Sequence, residues 1–155
     1  MQALIIDREA ARLDHCQIAL MNAGLQVTGT GSLLVAETCI TRLGVDLLVL
    51  EKTTIGDSLG DILGMAEDRN PDLVTVLRTQ DVGADQDALS PHFPSLHCVV
   101  GQDVSNEVAL KIGLASLRAQ PAPKWTPSAR STSKMARAAY AEQKEEVKNI
   151  FAQAV

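Results

Sequence analysis

Aromatic residues are nearly missing from this chain: one Trp, one Tyr and two Phe make up 3% of 155 residues. Any core must then be aliphatic, and a hydrophobic content of 46% is enough to build one. Cysteine is scarce as well. Cys16, Cys39 and Cys98 lie far apart without a CxxC spacing, which argues against a disulfide framework and for reduced, buried thiols. The first residues, "MQALIIDREA", carry no basic segment ahead of a long apolar run, so a signal peptide is not expected. No stretch approaches the roughly 20 apolar residues needed to cross a bilayer. These absences lead us to expect a soluble cytoplasmic chain. The glycine signatures GxGxxG, the P-loop and GxSxG are absent too, which removes the common dinucleotide, nucleoside triphosphate and esterase readings.

Positive charge is lacking where nucleic acid would need it. Residues 1–118 hold 16 Asp and Glu against 8 Lys and Arg, whereas residues 119–155 hold 3 against 6. Phosphate binding requires a clustered positive surface. An acidic body with a faintly basic tail therefore makes nucleic acid an unlikely partner.

What is present is alternation. "ALIID", "LQVTGTGS", "DLLVL", "LVTVL" and "LHCVV" read as strands, the third as an apolar run buried on both faces. Between them lie helical patterns: "REAARLDHCQIALMNAG" closed by Gly24, "LLVAETCITRLG", "SLGDILGMAEDRN" ended by Pro71, and a short helix in "GADQDALSPHFPS". The last body helix is "DVSNEVALKIGLASLR", with Asp103 expected as its N-cap. Strands separated by helices imply a parallel sheet with helices on both faces. The texture changes after residue 118. Residues 119–133 are rich in Pro, Ser and Ala and read as a linker. Residues 134–155 contain no Gly or Pro and read as an amphipathic helix, with Tyr140, Val147, Phe151 and Ala154 on one face.

In order and spacing, "LIIDRE", "DLLVLE" and "NPDLVTVLRTQ" resemble the receiver domain of bacterial response regulators, the CheY-like family, over residues 2–118. The resemblance implies a flavodoxin-like (βα)5 fold with strand order 2-1-3-4-5. It also implies a site at the carboxyl edge of the sheet. There an acid pair holds Mg²⁺, an aspartate accepts a phosphoryl group, a Ser or Thr follows the modification, and a Lys neutralises it. Phosphoryl transfer needs such cations, because its negative charge is dispersed. On that pattern Asp7 matches one acid, with Arg8 in place of the second. Glu51 stands at the acceptor position. Thr79 matches the hydroxyl, although a one-residue shift would put Arg78 there. Gly101-Gln102 replaces Lys-Pro. Three of five parts are changed, so we expect a degenerate pocket of Asp7, Arg8, Glu51, Arg78, Thr79 and Gly101 with no catalytic residue, metal or cofactor.

Glu51 then reads as a stand-in for the acceptor, either holding an active-like state or remaining after the chemistry was lost. The alternative is a solvated strand-end charge. With the third strand lying between the first and fourth, Arg8 and Arg78 would flank Glu51, and a guanidinium forks well onto carboxylates. One reading therefore places the Arg8 side chain in the Mg²⁺ site, against Asp7 and Glu51. The other points it into solvent from the start of a helix. His15-Cys16 and His97-Cys98 invite a zinc reading, but in each pair one side chain should face inward and its neighbour outward. The turn from Thr28 to Ser32 is read as a plain loop.

Two functions are carried forward. One is a non-phosphorylated pseudo-receiver that binds a protein partner in bacterial signal transduction, with a homodimer as one arrangement. Its interaction surface would be Leu110, Leu114 and Leu117, a leucine stripe surplus to packing, with Tyr140, Val147 and Phe151 of the tail. The other is a flavodoxin-like small-molecule-binding domain or enzyme using Asp7, Glu51 and Thr79.

Overall fold

The computed structural model describes residues 1–120, 140–142, 144 and 145. Five parallel strands lie in the order β2-β1-β3-β4-β5. They are β1 (Gln2–Ile6), β2 (Gln26–Thr30), β3 (Leu47–Glu51), β4 (Val74–Thr79) and β5 (Leu96–Gly101). The helices are α1 (Ala10–Asn22), α2 (Leu33–Arg42), α3 (Lys52–Ile55), α4 (Leu59–Arg69), α5 (Val82–Leu89) and α6 (Asn106–Ala119). This is the flavodoxin-like arrangement, in the strand order that the resemblance implied.

Strand parity divides the core in two. Leu4, Ile6, Leu48, Leu50 and Leu77 face α2, α3, α4 and α5, and Phe93 is buried in the same layer. Ala3, Ile5, Leu47, Val74 and Val76 face α1 and α6. β5 departs from strict alternation. Thr75 pairs with Leu96 but Val76 with Cys98, so His97 is an extra residue in the ladder. That bulge lets Leu96 and Val99 lie on the same side.

Local chemistry sets the element ends. α1 stops at Asn22 because Gly24, at φ +89°, turns the chain. Ser32, Asp81 and Ser105 cap α2, α5 and α6 through their side chains. The cap of α6 is therefore Ser105, two residues past the expected Asp103. α3 is a turn that the strand and helix patterns did not suggest. It forms because the Glu51 carboxylate accepts the Thr54 amide hydrogen bond at its start.

α6 corrects a further expectation. Leu110 and Leu117 are 3% and 8% exposed, and Leu114 packs with them against the sheet. Gly113 lies between them, and a β-carbon there would stand 2.8 Å from Val76 Cγ2. Only glycine lets the helix seat that closely. The leucine stripe is thus core, and the outward apolar residues are Val108 and Ile112. The linker and most of the tail expected at 119–155, including Val147 and Phe151, lie outside the described residues. Tyr140, Ala141, Glu142, Lys144 and Glu145 are helical. Among the described residues no helix is long and apolar enough to cross a membrane.

Candidate functional site at the carboxyl edge of the sheet

Parity explains which strand-end side chains meet. Asp7, Glu51 and Arg78 continue the Ile5, Val49 and Val76 series, so all three point to the α1/α6 side. With Arg12 they line one small cavity of about 10 Å³, room for a single water at most. Thr79 continues the Leu77 series and points the opposite way. The shift that would exchange Thr79 for Arg78 is excluded by the register, in which Thr79 pairs with Gly101 and Arg78 with Glu51.

Asp7 is 5% exposed and is gripped by Arg12, not Arg8. Arg12 Nε donates to Asp7 Oδ2 and Nη2 to Oδ1 at 2.8 Å, a two-pronged charged pair. Nη1 reaches Glu9 Oε2 at 2.8 Å, and the Glu9 amide adds a 2.9 Å hydrogen bond to Asp7 Oδ1. The hydrogen bonds to Asp7 raise the Arg12 pKa further, so the charge is permanent. Arg8, one residue past Asp7, is exposed and makes no ion pair with either carboxylate. It contributes its amide, which donates to Thr54 Oγ1 at 3.0 Å. The reading that put the Arg8 guanidinium in the metal position is corrected. The residue one helical turn further on takes Asp7.

Glu51 is 2% exposed and is held by neutral donors. The hydroxyl of Thr53 and, at 2.9 and 3.1 Å, the amide and hydroxyl of Thr54 all reach Oε2. Gln102 Nε2 donates to Oε1 at 2.9 Å. Burial is the largest single influence on this carboxyl and opposes its charge. The hydrogen bonds from Thr53 and Thr54 together outweigh it and hold the pKa below the ordinary value. A plain solvated charge is therefore the wrong description. Arg78 lies beside Glu51 in the sheet but its guanidinium turns to the β5–α6 loop. It donates to the carbonyls of Val104 at 2.8 Å and Gln102 at 3.4 Å, and to Asn106 Oδ1 at 2.8 Å. The expected pair of arginines flanking Glu51 is not formed.

Thr79, 1% exposed, donates its hydroxyl to Asp85 Oδ2 of α5. The other Asp85 oxygen takes Lys52 Nζ at 2.5 Å. The strand-end cation therefore comes from the residue after β3, and its carboxylate partner from α5. Gly101 supplies no side chain to the site. A β-carbon there would stand 2.5 Å from Asp103 Oδ1.

Sequence reasoning missed Arg12, Lys52 and Asp85 and did not give Gln102 its role. Arg12 left a partial signal, because it lies three residues after Glu9 at the start of a helix and so points back towards the end of β1. Lys52 and Asp85 left none, since they meet across the fold. A divalent cation would need several oxygen ligands with free lone pairs. Asp7 is taken by Arg12 and Glu51 by its own turn. Among the described residues no three His, Cys, Asp or Glu gather as a candidate metal site. The residues present do not fit Mg²⁺. His15 is exposed while Cys16 is buried, and His97 is exposed beside half-buried Cys98. Burial raises the pKa of both thiols and so disfavours the reactive thiolate.

No protein-family model and no curated protein matches the chain. Many solved structures do. A response regulator receiver protein from Sinorhizobium medicae is 17% identical, with a TM-score of 0.64 over 77% of this chain and 95% of that one. An orphan response regulator of H. pylori is 13% identical, with a TM-score of 0.64 over 76% and 97%. A putative pilus assembly-related protein from Burkholderia pseudomallei is 22% identical, with a TM-score of 0.58 over 81% and 94%. At these identities the likeness is one of fold, and that fold is the receiver fold.

Proposed function

We propose that this chain is a pseudo-receiver: a signalling domain that takes no phosphoryl group and acts by binding a protein partner. The observation that carries the reading is the fork of Arg12 on Asp7, which commits to a permanent guanidinium the one carboxylate that matches the receiver's metal-binding acids. The neighbouring groups agree with it. Glu51 is satisfied by Thr53, Thr54 and Gln102, and the Thr79 hydroxyl is committed to Asp85. Among the described residues every buried side-chain nitrogen and oxygen has a hydrogen-bond partner, so no orphaned group awaits a ligand. The 10 Å³ space beside Glu51 weighs against a small-molecule site there. A surface for a protein partner is offered by the helices flanking edge strand β5, where Val82, Val108 and Ile112 are 37%, 48% and 39% exposed.

The test is intact mass after incubation with acetyl phosphate and Mg²⁺, with thermal unfolding in beryllium fluoride beside it. The expected result is no mass gain and no shift. Glu51→Asp should give the same result, because Arg12 still holds Asp7. A Mg²⁺-dependent gain of one phosphate on Asp7 or Glu51 overturns the proposal.

A further inference from the structure

The chain's single tyrosine lies far from the strand-end acids in sequence, yet it is built into the other side of the fold. The Tyr140 ring meets Phe93 edge-on, with centroids 5.4 Å apart at 75°, and meets His92 at 5.4 Å and 46°. It lies over Gly60 of α4, where a β-carbon would stand only 2.9 Å from Tyr140 Cε1. Gly64, one turn further along α4, continues the same groove opposite Ala141. One turn beyond the tyrosine, Lys144 Nζ donates to the Asp57 carbonyl at 2.6 Å, in the turn leading into α4.

We propose that the groove along Gly60 and Gly64, walled by Phe93 and His92, is a receptor for the chain's own carboxyl-terminal helix, docked in cis with Tyr140 as its plug and Lys144 as its clamp. This separates Tyr140 from the leucine stripe of α6, with which it was grouped as one interaction surface, because those leucines are buried against the opposite face of the sheet.

Three observations support this occupant. The groove has the shape of an aromatic side chain, because α4 presents glycine where any other residue would meet the ring. The local charge fits: Asp57, Asp61 and Asp68 lie in or just before α4, and Lys144 is the basic side chain that reaches the Asp57 end of the groove. The reach is sufficient. The 19 residues between Gln120 and Tyr140 can extend to about 60 Å. That compares with half the circumference of a domain about 35 Å across. The inference stands on the α4 groove alone and is independent of whether the strand-end site takes phosphate.

The test uses the full chain and Gly60→Leu, which blocks the groove while replacing a poor helix former with a good one in α4. Hydrogen exchange at neutral pH reads residues 140–145, and light scattering reads the mass. In the native chain these amides are protected and the mass is that of a monomer. In Gly60→Leu they exchange about tenfold faster while the body keeps its urea midpoint. Absorbance titration adds a second readout, since there is no other tyrosine. Burial, and after it Asp85 and Asp57, raise the phenol above 10.0 despite nearby Lys52, and the variant should return it towards that value. Equal exchange in both proteins overturns the proposal. A dimeric native chain that becomes monomeric in Gly60→Leu overturns docking in cis.

Discussion

Replacing Arg12 by alanine tests the strand-end site most directly. The substitution leaves Asp7, a carboxylate 5% exposed, with one backbone hydrogen bond from Glu9 and no counter-charge. Removing one partner of a fully buried ion pair costs about 3–5 kcal/mol. The Arg12 side chain is 18% exposed, so water reaches the vacated place and the lower part of the range applies. We expect a loss of about 2–3 kcal/mol. With a urea slope of about 1.5 kcal/mol per molar for a domain of this size, the midpoint falls by about 1.3–2 M. Arg8→Ala is the matched control. It removes the same charge four residues earlier, from an exposed side chain that makes no ion pair with either acid, and should cost no more than about 0.5 kcal/mol. Combining Arg12→Met with Asp7→Asn should recover part of the loss, because no lone charge is then buried. Equal midpoints for Arg12→Ala and Arg8→Ala would refute the pairing and the reasoning built on it.

Glu51→Gln should cost about 1–2 kcal/mol at neutral pH, since an amide cannot accept the same set of hydrogen bonds from Thr53, Thr54 and Gln102. The carboxyl's folded pKa is below the ordinary 4.5, so its stabilisation is fully present above that value and is lost as pH falls through the folded pKa. Denaturation midpoints of the native chain and Glu51→Gln should therefore converge in acid, and a gap that widens instead contradicts the assignment. The Lys52–Asp85–Thr79 chain predicts non-additivity. Lys52→Met should cost only about 1 kcal/mol, because the lysine is 41% exposed and its attraction is screened. A double-mutant cycle with Thr79→Ala should show a coupling of about 0.5 kcal/mol or more through the shared carboxylate, and strict additivity would show that the two hold Asp85 independently.

The fold was legible because a parallel sheet writes itself as apolar runs, and "DLLVL" and "LVTVL" admit few other readings. The site was half legible, and strand parity marks the dividing line. Continuing β1 past Ile6 puts Asp7 inward and Arg8 outward, and continuing β4 parts Arg78 from Thr79. That signal was available, and it decides against Arg8 in the metal position. Gly113 was another, since a glycine between two leucines in mid-helix marks the face that approaches a sheet. What no pattern could supply is the path of the β5–α6 loop. Whether Arg78 turns to Glu51 or to the carbonyls of residues 102 and 104 depends on where that loop runs. Lys52 and Asp85 are likewise partners 33 residues apart with no periodicity connecting them. α3 escaped detection because four residues containing two threonines have little helical preference, and a single cap from Glu51 forms the turn.

The same details bear on what Glu51 does within the proposed reading. A glutamate imitating a phosphorylated aspartate should present its charge outward and draw the hydroxyl after β4 towards it. Here one carboxylate oxygen is turned into its own helix cap, and the other accepts from Gln102. The hydroxyl of Thr79 points to the opposite side of the sheet and is held by Asp85. The nearest lysine in sequence, Lys52, is spent on that same Asp85. Each group that could respond to charge at the acceptor position already has a partner within its own part of the fold. Glu51 then functions as a structural pin between β3, α3 and the β5–α6 loop. On the proposed reading, the carboxyl edge it pins would not switch when a partner binds.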